Sequence, residues 1–375
     1  MTRRRDTQNP VEAGAVRSRR LPRPLLAGAL LVTMALLLFN CSGCSPVYLA
    51  RAGWTEMKIL TGRRPLAEVI ENEATDSETR QKLLLTRQAR AFAIHQLGLD
   101  AGDSYTSFTQ LDSDTLAWVL SAAFRDRLES KTWWFPIVGR VPYKGYASQN
   151  AAEKARSKLE SEGFDTYLRT TSAFSTLGWF ADPLLSSLLR YDEVDLVETI
   201  LHELTHNHLF LPGRVRFNES LATFVGRVGA IRFFCGPPEK SQNTEKCRTA
   251  RSRWQEYQRF SRFLDEFISE LQAVYGRSDL DLEEKIAARE ELFITYQERD
   301  RGADSQEASP LVRGFLSRPL NHAVLLARMR YFHRLPDFQA YLEERDGDLR
   351  RAIADLAREV RQADDPFQVL PGPTR

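Results

Sequence analysis

At 375 residues and 42% hydrophobic composition, the chain is long enough for one large domain or two modest ones and can bury a sizeable core. Its 52 basic and 50 acidic residues leave a formal net charge of +2 and are spread along the sequence. No basic footprint of the kind that binds a polyanion stands out, so nucleic acid is excluded as an expected partner.

The N-terminus differs from the rest. Arg3 to Arg5 with Arg17, Arg19, Arg20 and Arg23 form a basic stretch, an apolar run follows from Leu25 to Phe39, and the small residues Ser42 and Gly43 precede Cys44. That order is an export signal, and an apolar run this short favours a cleaved signal over a permanent single-pass helix, the competing reading. Cys41-Ser42-Gly43-Cys44-Ser45 resembles the lipobox of bacterial lipoproteins, which implies a signal peptide over 1–43, cleavage after Gly43 and lipidation of Cys44. Two alternatives stay open: Cys41 as the lipidated residue, and a twin-arginine signal at the paired arginines. Ser45 is not the aspartate associated with inner-membrane retention, so the resemblance implies a protein anchored by lipid to the outer membrane and facing the periplasm.

With Cys41 removed and Cys44 lipidated, Cys235 and Cys247 are left of the four cysteines. An exported chain meets an oxidising compartment, and the turn Gly236-Pro237-Pro238 with the polar residues up to Lys246 would close a loop between them, so a disulfide is expected, with two free thiols as the alternative.

From Tyr48 to about Glu129 apolar residues recur at three and four positions (Leu66, Val69, Ile70; Leu83 to Leu85; Ala91, Phe92, Ile94), which predicts a helical N-terminal subdomain over 44–130. His95, among apolar neighbours, is expected to be a partly buried packing histidine. Between Thr132 and Ala147, aromatic and β-branched residues interrupted by Pro136, Gly139, Pro142 and Gly145 predict short strands. Ala151 to Glu162 reads as a crossover helix ending at Gly163, Phe164 to Thr171 as a further strand, and Trp133 and Trp134 as core or interface aromatics. Asp192 can cap a helix running to Leu209, stopped by Pro212-Gly213, and a second helix starts near Asn218. These elements make up a core over 131–240. Beyond it, 241–375 reads as a helical C-terminal subdomain: a charged hairpin from Ala250 to Arg299 broken at Gly276 to Asp279, then apolar spacing through Leu325, Leu326, Tyr331 and Phe332, and a last helix to about Val360. The fold class expected is α+β, predominantly helical, with a small sheet.

His202-Glu203-Leu204-Thr205-His206 lies on the first of those two helices, and a four-residue separation puts both imidazoles on one face, one turn apart. Neutral imidazole nitrogens suit Zn²⁺, and a catalytic site needs three protein ligands and an open position, so one zinc ion per chain is expected. Glu203 is turned by about 100° from His202, near enough to take a proton from a water at that open position. The third ligand must come from another element, and Pro212-Gly213 reverses the chain to bring Asn218-Glu219-Ser220-Leu221-Ala222 back. Glu219 stands thirteen positions after His206 in the first turn of the returning helix, where the small Ala222 permits close packing. The competing reading of Glu219 is a carboxylate favoured at a helix N-terminus. His208, only two residues from His206, turns to another face and is expected outside the coordination shell.

The H-E-L-T-H segment with N-E-S-L-A downstream resembles the gluzincins, zinc peptidases in which a glutamate in an N-E-x-x-A-like stretch completes the site, and this implies a zincin-like core. Val141 to Tyr146, Ser175 to Phe180, Asp182-Pro183, the metal segment and Phe217 to Gly226 are similar, more closely, to the bacterial family of predicted lipoprotein aminopeptidases. The similarity covers most of the chain after Cys44. It implies an exported zinc aminopeptidase with a peptide substrate and a membrane link through its N-terminal lipid; an envelope endopeptidase acting in quality control and a non-catalytic metal-binding lipoprotein are the alternatives. Residue types alone offer Tyr331, His322, His333, Tyr143 and Tyr146 as donors to a developing oxyanion. The strand from Phe164 to Thr171 is expected to be an ordinary sheet member, with binding of peptide as an added strand the alternative. The oligomeric state is not legible.

Overall fold

A computed structural model describes residues 57–112, 117–135, 139–171, 181–236, 243–301 and 309–372. The signal segment, Cys41 and Cys44 lie outside the described residues, as does Ser175 to Phe180. The fold is α+β and mostly helical, with small sheets.

After β1 (Arg64–Pro65) come α1 (Leu66–Glu71) and α2 (Ser77–Phe92), the latter capped by Asp76, whose carboxylate accepts from the Thr79 amide at 2.9 Å. A π-helical turn over Ala93–Leu97 extends α2 to Gly98, whose φ of +74° ends it. His95 on that turn is exposed, not packed as expected, because the turn aims Ala93 and Leu97 inward instead. The next elements are β2 (Ser107–Thr109), β3 (Ala117–Ala123), β4 (Trp133–Phe135), β5 (Gly139–Val141), β6 (Lys144–Tyr146), α3 (Gln149–Ser161), β7 (Asp165–Thr171) and β8 (Leu184–Leu185). The 44–130 stretch thus holds strands β1, β2 and β3 besides its helices. A-W-V-L-S-A-A is a short apolar run, which periodicity alone does not separate from a buried helix.

Strand β3 is the centre of a three-stranded sheet of order β6-β3-β7, antiparallel on both sides, with α3 crossing from β6 to β7. The side chains of β3 and β7 alternate between two covered faces. Leu120, Ala122 and Leu168 pack with Leu159 of α3, and Ala123 and Tyr167 pack with Ala323 and Leu326 of a later helix. Strands β1, β2 and β8 form a second sheet, and β4 pairs with β5, leaving Trp133 buried and Trp134 exposed.

Past β8 the chain is helical: a 3₁₀ turn at Ser186–Arg190, then α4 (Glu193–His208), α5 (Val215–Cys235), α6 (Glu245–Gly276), α7 (Leu282–Arg301), α8 (Pro310–Leu316), α9 (His322–Phe332), α10 (Leu335–Glu343) and α11 (Leu349–Glu359). Cys235 at the end of α5 is disulfide-bonded to Cys247 in the first turn of α6, with Cα atoms 4.9 Å apart. Helix α4 packs along α5 and against α2, and α9 lies between α5 and the β3–β7 face. The main hydrophobic core draws residues from all three sequence segments, from Leu66 to Leu370, beside two smaller clusters on the faces of the β3 sheet. Among the described residues no helix is long and apolar enough to cross a membrane.

A polar knot fastens the sheet to the helices. His322, fully buried at the start of α9, gives its Nδ1 proton to the Phe124 carbonyl at 2.8 Å, which leaves Nε2 to accept from the Tyr275 hydroxyl at 3.0 Å. Its amide donates to Asp165 Oδ2 at 3.0 Å, and Arg289 donates to the same oxygen at 2.9 Å. Burial holds the imidazole below its ordinary pKa, so it is neutral when folded. The unfolded chain takes up a proton that the folded chain refuses, and stability falls as pH drops below about 6.5. Urea denaturation between pH 5 and 7.5 should show part of that slope lost in His322→Gln; an unchanged slope would exclude the neutral buried histidine.

Candidate metal centre

Asp192 starts α4, its carboxylate accepting from the Asp195 amide at 2.9 Å. Arg253 of α6 hydrogen-bonds the same carboxylate at 3.0 Å and is chiefly responsible for holding it down to about 2. One stripe of α4 (Val194, Val197, Ile200, Leu201, Leu204) is buried in the core, and His202 and His206 face α5 and α9.

The reversal after α4 is held by one side chain. Asn218 donates through Nδ2 to the Leu211 carbonyl at 2.8 Å and accepts from the Leu211 amide at 3.0 Å, bracing the Pro212-Gly213 turn across seven residues. Gly213 supplies the φ of +75° that the turn requires. The next residue, Glu219, then faces the histidines. Ala222 is fully buried, as close helix packing needs, and two glycines further along α5 also meet α4 closely. A Cβ on Gly226 would lie 2.8 Å from the Glu198 carbonyl and 3.3 Å from His202 Cβ, and one on Gly229 would lie 2.8 Å from Leu201 Cδ1. The two helix backbones are therefore nearly in contact beside the first metal-segment histidine. Sequence reasoning missed both glycines as packing residues, although glycine inside a helix costs about 1 kcal/mol relative to alanine and so asks for a reason. A turn before His202, Glu198 makes a buried ion pair with Arg227 of α5, whose guanidinium also lies 3.9 Å over the Tyr257 ring.

Three donors meet in this contact. Glu219 Oε2 is 3.3 Å from His202 Nε2 and 3.5 Å from His206 Nε2, and the two rings stand at 86° with centroids 4.9 Å apart. Among the described residues, these three form the one group of His, Cys, Asp and Glu side chains that converge closely enough to hold a metal ion. The separations exceed the ~2.7–2.9 Å of a charge-assisted hydrogen bond. They match the ~3.3–3.4 Å edge of a tetrahedron whose ligands stand about 2.0–2.1 Å from its centre. Two imidazoles and a carboxylate are also a borderline-soft donor set that suits zinc. The residues fit the ion.

The electrostatics agree. Burial pushes the Glu219 carboxyl up, but the histidines outweigh it, His206 most, and hold the group well below the usual carboxylate range. Burial, with like charge from Glu219 and Asp182, pushes the half-buried Glu203 carboxyl up against the pull of His202 and His206; a dication alongside would act the other way. His206 Nδ1 is buried without a hydrogen-bond partner.

On the side of Glu203, Asn207 Nδ2 donates to Ser104 Oγ at 2.9 Å, and the same oxygen accepts from the Asp182 amide at 3.2 Å. The Asp182 carbonyl in turn accepts from the amide of Tyr105, a residue in the left-handed region at φ +60°. This brings the buried Asp182 and Tyr105 into the field of Glu203, a pairing that sequence separation hides.

On the other side stand Tyr331, Tyr143, Arg169 and Arg330. Tyr331 stacks on His202 at 6.2 Å between centroids. Burial, then the charge of Glu219, raises the hydroxyls of Tyr331 and Tyr143, so both keep their protons at neutral pH. Of the five oxyanion candidates these two come to the centre. Tyr146 packs with Leu120 and Trp133. His322 belongs to the polar knot, nine residues or about 14 Å along α9 from Tyr331. His333 Nδ1 contacts Asp265 Oδ1 at 2.7 Å. His208 accepts from the Asp100 amide at 3.2 Å, outside the donor set as expected. The two arginines were missed, although β7 alternation carries a signal, since Arg169 falls on the face that Tyr167 buries.

A family model described as "Putative aminopeptidase" matches residues 47–365. The chain belongs to this family. Curated proteins and solved structures give no match.

Gly226→Ala should push α5 from α4 at His202, lowering stability by about 1–3 kcal/mol as overpacking does and weakening any metal binding by the three donors. Metal content and a urea midpoint measured together test this; wild-type values for both would show that the close approach is not needed.

Proposed function

We propose that this aminopeptidase-family chain is a zinc-dependent peptide hydrolase with a gluzincin-like, zincin-type centre, in which His202, His206 and Glu219 hold the ion and Glu203 is the catalytic base. The observation that carries the reading is the pair of imidazole-to-carboxylate separations of 3.3 and 3.5 Å, a tetrahedral edge and not a hydrogen bond. Bound zinc supplies Lewis acidity and lowers the pKa of a water towards 7.

Glu203, one residue from His202 and turned from the shared imidazole face, accepts the proton of the attacking water and returns it to the leaving amine. Tyr331, aligned by stacking on His202, and Tyr143 keep their protons and donate to the oxygen on which charge develops. Asp182 keeps a second carboxylate on the Glu203 side and reinforces its affinity for a proton. The export signal and the Gly43-Cys44 junction support placing the enzyme in the cell envelope, anchored through lipid on Cys44 and facing the periplasm, with outer-membrane sorting favoured by Ser45.

Purified soluble protein with Glu203→Gln should keep its zinc and lose peptide hydrolysis by at least about 10²-fold, whereas Glu219→Ala should lose much of the zinc. Full hydrolysis by Glu203→Gln would remove this mechanism. Free and N-terminally blocked peptides, assayed side by side, separate the two kinds of peptidase: cleavage of blocked peptides at internal bonds means endopeptidase action.

A further inference from the structure

Among the described residues, two buried guanidinium groups have an anionic partner and a third has a close neutral one, although the Nε atoms of Arg289 and Arg330 are unpartnered. Arg289 pairs with Asp165 and Arg227 with Glu198. Arg330 is held by Ser121 Oγ at 2.9 Å and the Pro142 carbonyl at 3.3 Å, and lies over the Tyr143 ring. Arg169 differs. Strand alternation puts it on the β7 face covered by α9, opposite the buried Val119 of β3, where it is half-buried. Its hydrogen bonds are two long ones, from Nη2 to the Tyr331 hydroxyl and from Nη1 to the Thr170 carbonyl, each at 3.4 Å, and among the described residues it makes no ion pair. The carboxylate whose charge acts on it is that of Glu219, which lies against the two histidines. With a dication bound, the Glu219 side of the centre would carry an excess of positive charge, and this planar fork of donors would have only its two long contacts with neutral oxygens.

We propose that Arg169 binds a carboxylate of the substrate, so that the centre selects short peptides with a free C-terminal carboxylate close behind the scissile bond. The inference rests on the peptidase reading above and adds a substrate class to it. Tyr331 stacks on the ligand histidine at 6.2 Å, and its hydroxyl is 3.4 Å from the guanidinium. A carboxylate on Arg169 would thus lie beside the hydroxyl of the tyrosine that stacks on this histidine, within the reach of a short peptide. Bidentate pairing with a carboxylate is the interaction for which a guanidinium is shaped. An acidic side chain at that position offers the same chemistry.

The test is equilibrium binding to the zinc-loaded Glu203→Gln protein, by calorimetry, of three probes: Ala-Ala-Ala, its C-terminal amide, and Ala-Ala-Glu amide. The free acid should bind at least about tenfold more tightly than the amide. That ratio should collapse towards one when Arg169→Gln is added, and recover in part with Arg169→Lys; zinc content and a thermal melt identify any variant that has failed to fold. Affinity regained by Ala-Ala-Glu amide assigns the contact to a side-chain carboxylate; no gain assigns it to the chain terminus. Equal binding of acid and amide, an unchanged ratio without Arg169, or no binding of any probe overturns the proposal. Wild-type turnover of the same peptides separates the two readings. Discrimination in binding without hydrolysis would defeat the peptidase and spare the carboxylate site, and hydrolysis without discrimination would do the reverse.

Discussion

The near-contact of α4 and α5 governs everything else. One helix can present two imidazoles to an ion, but a tetrahedral donor set needs a third group from another direction. The angle and distance at which α5 returns decide whether Glu219 arrives. Gly226 and Gly229 remove the side chains that would hold the backbones apart at Glu198, Leu201 and His202. The Asn218 clamp across the Pro212-Gly213 turn fixes the start of the return path, and the buried Glu198–Arg227 pair ties the helices beyond the metal end. The disulfide from Cys235 to Cys247 then joins the far end of α5 to α6, whose Arg253 reaches back to the Asp192 cap of α4.

Around that contact the charges are divided by position. The Glu203 side carries Asp182 and the strained Tyr105, and the Glu219 side carries Arg169, Arg330, Tyr143 and Tyr331. The small sheet contributes by position: β7 delivers Arg169, the β5–β6 turn delivers Tyr143, and α9, packed on the same sheet face, delivers Tyr331.

The local part of this arrangement was legible in the sequence. The H-E-x-x-H spacing, the Asp192 cap, the break at Pro212-Gly213 and the position of Glu219 depend on contacts within about one helical hairpin, where periodicity and turn chemistry act. The pairing of Cys235 with Cys247 is similarly local. The long-range features were not legible. His322 is tied to Phe124 and Asp165, 198 and 157 positions away, so its residue type suggested chemistry where its partners make it structural. Strand β3 was hidden because both of its faces are covered and its apolar run lacks the alternation of a half-exposed strand. Arg169 drew no attention in the sequence, because its half-buried position depends on the pairing of β7 with β3 and the cover of α9.

The sharpest test of a centre assembled by α4 and α5 is diffraction at the zinc absorption edge from crystals of the zinc-loaded protein. A single anomalous peak about 2.0–2.2 Å from Nε2 of His202, Nε2 of His206 and an oxygen of Glu219 is the expected result. A zinc ion bound by other residues, or one held by the histidines with Glu219 turned away, would contradict it.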